Sequence, residues 1–95
     1  MAEYRLSNEA KEDLIRIHQY SVEKFGMAQA DKYFNSFFKY FDIIAQQPYS
    51  FDSVDHIRNG YRRCACGPDS IYYRIINGMV EIMAIVGRQD LTNVL

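Results

Sequence analysis

The sequence predicts an α+β fold, in which an N-terminal strand and an α-helical hairpin pack on one face of an antiparallel β-sheet, in the order β-α-α-β-β-β. Three observations carry this reading. Apolar residues recur at helical spacing from about residue 8 to the proline at 48. After residue 60 the pattern changes to strand-like alternation. Asn77-Gly78, set between two apolar runs, is a strong hairpin signal.

Tyr4-Arg5-Leu6 reads as a short first strand. Ser7 or Asn8 then offers a helix cap, and Glu9, Glu12 and Asp13 place acids where the helix dipole favours them. Leu14, Ile17, Ser21 or Val22, and Phe25 continue at helical spacing, and Gly26 follows as a C-terminal cap. The first helix is therefore expected over about residues 8 to 25. A second begins at Met27 or Ala28, with Ala30, Phe34, Phe37, Phe41 and Ile44 on one stripe, widened by Tyr33, Phe38 and Tyr40. Pro48 ends it. So short a joint makes the two helices an antiparallel hairpin.

Residues 47 to 57 read as a loop. Strands are expected at Tyr61 to Cys66, Ile71 to Ile76 and Met79 to Val86, with a turn at Gly67-Pro68-Asp69 and Gly87 closing the last. The third of these is nearly all apolar, which places it centrally in the sheet. The hairpin covers one face because both layers must bury an apolar side; the other face is expected to be less covered. Gln89 to Leu95 is too short for a stable helix of its own.

The 95 residues are expected to form a single domain, 1–95, which buries roughly 60–65% of its unfolded surface. Eight tyrosines and six phenylalanines, with no tryptophan, supply the core. The N-terminus carries no secretory pattern and no apolar run approaches the ~20 residues of a membrane span. A cytoplasmic protein with no membrane partner is expected. Cys64 and Cys66 lie two apart, on one face of a strand; two thiols are too few for a zinc site and poorly placed for a disulfide. They read as small, reduced, buried residues, and no metal or other cofactor is expected.

Charge is unevenly placed. Net charge is −1, yet from residue 58 to 88 five arginines (Arg58, Arg62, Arg63, Arg74 and Arg88) stand against only Asp69 and Glu81, a net +3. All four lysines lie before residue 40. Arginine suits phosphate, carboxylate or protein partners, and equally sits solvated on a strand.

The order of short motifs resembles the RelE/ParE toxins of bacterial toxin–antitoxin pairs, over essentially the whole chain. The motifs are Tyr4-Arg5-Leu6-Ser7, Glu12-Asp13-Leu14, Tyr20-Ser21-Val22-Glu23-Lys24-Phe25-Gly26, Gln29-Ala30-Asp31-Lys32-Tyr33, Gln47-Pro48, Ile57-Arg58-Asn59-Gly60-Tyr61-Arg62, Ile71-Tyr72-Tyr73-Arg74-Ile75 and Val86-Gly87-Arg88-Gln89-Asp90. Their spacing is similar to the ParE branch. That resemblance implies a growth-halting toxin, neutralised by direct binding of a cognate antitoxin, with DNA gyrase as target and no catalysis of its own. The RelE branch implies instead a ribosome-dependent mRNA endoribonuclease, and a third reading is a non-toxic antitoxin-binding co-repressor.

Cleaving RNA through the ribose 2′-hydroxyl needs a base, a phosphate clamp and an acid. The arginines suit a clamp, but His56 is the only histidine near them and Leu91 to Leu95 contains no Tyr, His, Lys or Arg. Tyr72 and Tyr73 are candidates only with strong help, since an ordinary phenol has a pKa of about 10. No catalytic residue is therefore assigned, and no direct sequence-specific nucleic-acid binding by the toxin alone is expected. Tyr33, Phe38, Tyr40, Arg62, Arg63 and Arg74 are expected to face the antitoxin. Arg58, Arg74 and Arg88 are expected to face the target, Arg88 alternatively pairing with Asp90. Phe34, Phe37, Phe41 and Ile44 read as core.

Overall fold

The structure, a computed structural model, describes residues 3–87. In it the chain runs β1 (Tyr4–Leu6), α1 (Asn8–Phe25), α2 (Met27–Gln46), β2 (Asp52–Ser53), β3 (Arg62–Cys66), β4 (Asp69–Ile76) and β5 (Met79–Gly87). The Ser7 hydroxyl accepts from the Ala10 amide and so starts α1. The same hydroxyl donates to the Met83 carbonyl at 2.9 Å, so the cap also ties α1 to β5. Gly26, at φ 88°, ends α1 and caps the start of α2. A side chain is rarely tolerated at that dihedral, which explains glycine at the joint.

The five strands form one sheet in the order β1-β5-β4-β3-β2. β5 is flanked on both sides, as its apolar run predicts. The expected fold class stands, with two refinements. The sheet is mixed, because β1 pairs parallel with β5 (Arg5 opposite Glu81) while every other pair is antiparallel. The expected loop after α2 contains the two-residue β2, which adds Asp52 opposite Arg63 at the sheet edge. A bulge at Tyr72/Tyr73 leaves Met83 as the extra residue on β5.

Helix α1 buries Ala10, Leu14, Ile17 and Ser21, and α2 buries Ala30, Phe37, Phe41, Ile44 and Ala45. These helices lie on the sheet face formed by Cys64, Cys66, Ile71, Tyr73, Val80, Ile82 and Ile85. Phe34 is half-buried and packs on this core without entering it. Phe25 departs from expectation: it is 66% exposed, because it sits in the last turn of α1, past the sheet it would pack against. The opposite sheet face is not left open. Val54, Ile57 and Tyr61 fold back over Tyr72, Ala84 and Val86 as a second small core. Among the described residues no helix is long and apolar enough to cross a membrane.

The β4–β5 turn has Asn77 at φ 51° and Gly78 at φ 76°, the paired positive values of a type I′ turn. Gly78→Ala is expected to cost about 1 kcal/mol: the left-handed penalty of ~1–2 kcal/mol is offset in part by a stiffer unfolded chain. Urea denaturation should show a lower midpoint with an unchanged slope.

Candidate binding surfaces

Beyond the end of β1, the outer edge of β5 has no strand neighbour among the described residues, and α1 side chains take its place. The Ile85 amide donates to Asp13 Oδ2 at 3.0 Å. Arg16 Nη2 donates to the Ile85 carbonyl and to Asp13 Oδ1, each at 3.3 Å. Asp13 and Arg16 together imitate the missing strand. Past this lock opens a cleft of about 650 Å³ between the second half of α1, the start of α2, the β3–β4 turn and the end of β5. Arg16, Ile17, Tyr20, Ser21, Phe25, Gln29, Tyr33, Pro68, Asp69 and Gly87 line it. Tyr20 is 57% and Phe25 66% exposed, and Met27 is exposed nearby, so an apolar patch surrounds the mouth. A cleft of this size and lining falls within the range of ligand-binding pockets.

On the inner wall the Tyr33 hydroxyl donates to Asp69 Oδ2 at 2.6 Å, with the Cys66 carbonyl 3.1 Å from the same oxygen. Burial, then the Asp69 carboxylate, holds the Tyr33 phenol far above its ordinary pKa. It is a fixed hydrogen-bond donor, not an acid.

Tyr33 is thus the one residue of the expected antitoxin set that lines this cleft. Phe38 is half-buried, its ring 5.3 Å from Phe34 and 5.4 Å from Phe41, and Tyr40 is half-buried against the same core. The arginines are dispersed. Arg62 lies on the helix side, donating to the Phe51 carbonyl at 2.7 Å and stacking 5.1 Å above the ring of Tyr49, which is itself 70% exposed. Arg63 points to the other face and is exposed. Arg74 Nε and Nη2 meet Glu81 Oε1 at 2.9 and 2.8 Å, and Arg5 approaches the other oxygen of Glu81 at 3.6 Å. Arg58 is exposed over the Tyr61 ring at 5.6 Å. Arg88, with its expected Asp90 pairing, lies outside the described residues.

The two tyrosines that the sequence offers for acid–base chemistry are core residues. Tyr72 and Tyr73 are buried, and the Tyr73 hydroxyl donates to the Pro48 carbonyl at 2.6 Å. Burial pushes the Tyr73 phenol up to about 12, despite the opposing pull of Arg62. It likewise pushes the Cys64 thiol up to about 11 and raises Cys66. Both cysteines are buried, as expected.

These shifts have one sign. The folded chain keeps protons that the unfolded chain releases, so the stabilisation is complete below the ordinary thiol value of 9.0 and is lost as pH rises through about 11 and about 12. Melting temperature is expected to fall steadily above pH 9.0. A flat profile through that alkaline range would contradict it.

Sequence reasoning missed Arg16, Tyr20, Phe25, Gln29 and Asp69 as cleft residues. The available signal was that Tyr20 falls off the Ala10-Leu14-Ile17-Ser21 stripe and is still aromatic.

A strand and helical hairpin laid on a mixed sheet, with an open aromatic cleft at the hairpin tip, define a small α+β fold. The fold matches a solved structure described as a chromosomal ParDE TA system from P. aeruginosa, with a TM-score of 0.81 and 19% identity over 92% of this chain and 96% of that one. Residues 4–91 match the family model of the ParE toxin of type II toxin-antitoxin system, parDE. Toxin ParE1 of Caulobacter vibrioides is 37% identical over 86 residues, 90% of this chain and 88% of that protein. Toxin ParE1 of Mycobacterium tuberculosis is 27% identical over 84 residues, 87% of this chain and 86% of that protein. The chain belongs to the ParE toxin family of type II toxin–antitoxin systems.

Proposed function

We propose that this ParE-family toxin halts growth by binding DNA gyrase in the cytoplasm, without chemistry of its own, and is silenced when a cognate antitoxin seats a folded segment in the cleft at the hairpin tip. The observation that carries the reading is the cleft itself, an open and largely apolar cavity of about 650 Å³ with exposed Tyr20 and Phe25 at its mouth. Such a surface suits a segment that is disordered when free and orders on contact. Tyr33 reaches this partner from the cleft wall, with Phe38 and Tyr40 further along α2.

The non-catalytic part of the proposal is supported by how the candidate groups are engaged. Tyr72 and Tyr73 are buried, Arg74 is held by Glu81, and Arg62 by a backbone carbonyl. These contacts tie both arginines to structural partners and leave the two phenols inside the core. Arg58 is exposed away from the cleft-lining set, and with Arg88 it is the arginine we assign to the target; Arg63 is exposed as well.

A gyrase supercoiling assay tests the reading, with relaxed plasmid, ATP, purified gyrase and this protein, titrated with and without antitoxin. Loss of supercoiling that antitoxin restores is the expected outcome. Full supercoiling at an excess of toxin that still kills cells would move the target elsewhere, and mapping transcript 5′ ends would then test the ribosome.

A further inference from the structure

The two charged side chains of the cleft are not equivalent. Arg16 already has an acidic partner: its Nη2 contacts Asp13 and the Ile85 carbonyl, each at 3.3 Å. Asp69 has a hydrogen bond from Tyr33 to one oxygen and, among the described residues, no ion-pair partner. The carboxylate is half-buried and so stays within reach of solvent water in the free toxin. A segment packed against Ile17, Tyr20, Phe25 and Pro68 would expel that water. Covering an unpaired carboxylate is costly unless the covering group supplies a cation or donors. An acidic occupant at this position would add repulsion to that cost.

We propose that Asp69 is a specificity-determining residue of the cleft: the antitoxin segment that fills it sets a lysine or arginine against the Asp69 carboxylate and an apolar side chain against Tyr20 and Phe25. The inference rests on the antitoxin reading above and adds the chemistry of the partner. Tyr33 is a positioning residue here. Its hydroxyl fixes the rotamer of the carboxylate and, held protonated, donates to it without competing for the incoming cation. Arg16 already has a carboxylate beside it in Asp13, so Asp69 is the cleft charge that the segment has to match.

The test is calorimetric titration of the toxin with full-length cognate antitoxin. Asp69→Asn keeps an acceptor for Tyr33 and removes the charge; it is expected to weaken binding roughly thirtyfold or more, the scale of stripping one partner from a buried charge pair. The wild-type complex should weaken with added salt more steeply than the Asn variant, a difference that a purely structural role would not produce. Asp69→Lys should abolish binding to the native antitoxin and regain it with an antitoxin in which one basic residue of the docked segment is changed to Glu. That rescue requires a folded toxin, so it separates lost recognition from lost structure. Lys11→Ala, exposed near the start of α1, serves as the unaffected control.

Wild-type affinity from Asp69→Asn, or failure of every basic-to-Glu antitoxin variant to rescue Asp69→Lys, would overturn the proposal. A toxin that is dimeric alone and dispersed by Asp69→Lys would overturn it too, by placing a second copy in the cleft. Absence of any antitoxin binding by the wild type would instead sink the antitoxin reading.

Discussion

Phe41→Ala is expected to destabilise the fold by about 3–5 kcal/mol, the usual range for emptying a buried phenylalanine site. Phe41 has no exposed surface and joins the two layers. Its ring lies 5.3 Å from Tyr4 on β1, 5.4 Å from Phe38 and 6.4 Å from Phe37. The surrounding groups cannot collapse into the gap, because β1 is held by its pairing to β5 and α2 by the flanking Phe37 and Ile44. A domain of this size has a total stability on the order of 5–14 kcal/mol, so one substitution removes a large share of it. Chemical denaturation should show the loss as a lower midpoint, and Phe41→Leu should recover much of it by refilling most of the volume. A loss under about 1 kcal/mol would mean that the aromatic chain along α2 repacks freely, contrary to a close-packed interior.

The same aromatic stripe shows which parts of the molecule could be read beforehand. Caps and turns are local, so Ser7, Gly26, Pro48 and Asn77-Gly78 placed both helices and the β4–β5 hairpin within a residue or two of where they lie. What depends on pairing across the chain was harder to read. β1 joins β5 in parallel because the hairpin returns the chain to the far edge of the sheet, and three residues of sequence carry no trace of that choice. Val54, Ile57 and Tyr61 look like scattered apolar residues in a polar loop, yet together they cover the second sheet face. Phe25 kept the helical period but outran the sheet. Alternation already separates Arg62 from Arg63 in the sequence, but only strand register delivers Arg74 to Glu81. The cleft is assembled from four separate segments, so only Tyr33 was legible, through its place on an aromatic stripe.

The second large effect is expected at Asp13, whose role is also invisible without the fold. By sequence it is one more acid in the first turns of a helix. In the structure its carboxylate is the acceptor for the amide of Ile85, a residue with no exposed surface, at 3.0 Å. Asp13→Ala removes the acceptor and leaves that amide buried and unpaired, a loss of about 1–3 kcal/mol. Little of the effect comes from the Asp13–Arg16 ion pair, because the Arg16 side chain is 54% exposed and solvent screens it. Charge and hydrogen bonding are therefore separable. Asp13→Asn retains a carbonyl oxygen for the Ile85 amide and should recover most of the stability, while Arg16→Ala should cost far less than Asp13→Ala. Hydrogen exchange gives the direct readout: in Asp13→Ala the Ile85 amide should lose protection more than the Val86 amide, which faces β4. Equal destabilisation by Asp13→Asn and Asp13→Ala would assign the effect to charge and refute the hydrogen-bond account. Because the Asp13–Arg16 lock forms one end of the cleft, the Asp13→Ala variant should also bind antitoxin less tightly than its remaining fold stability alone would allow.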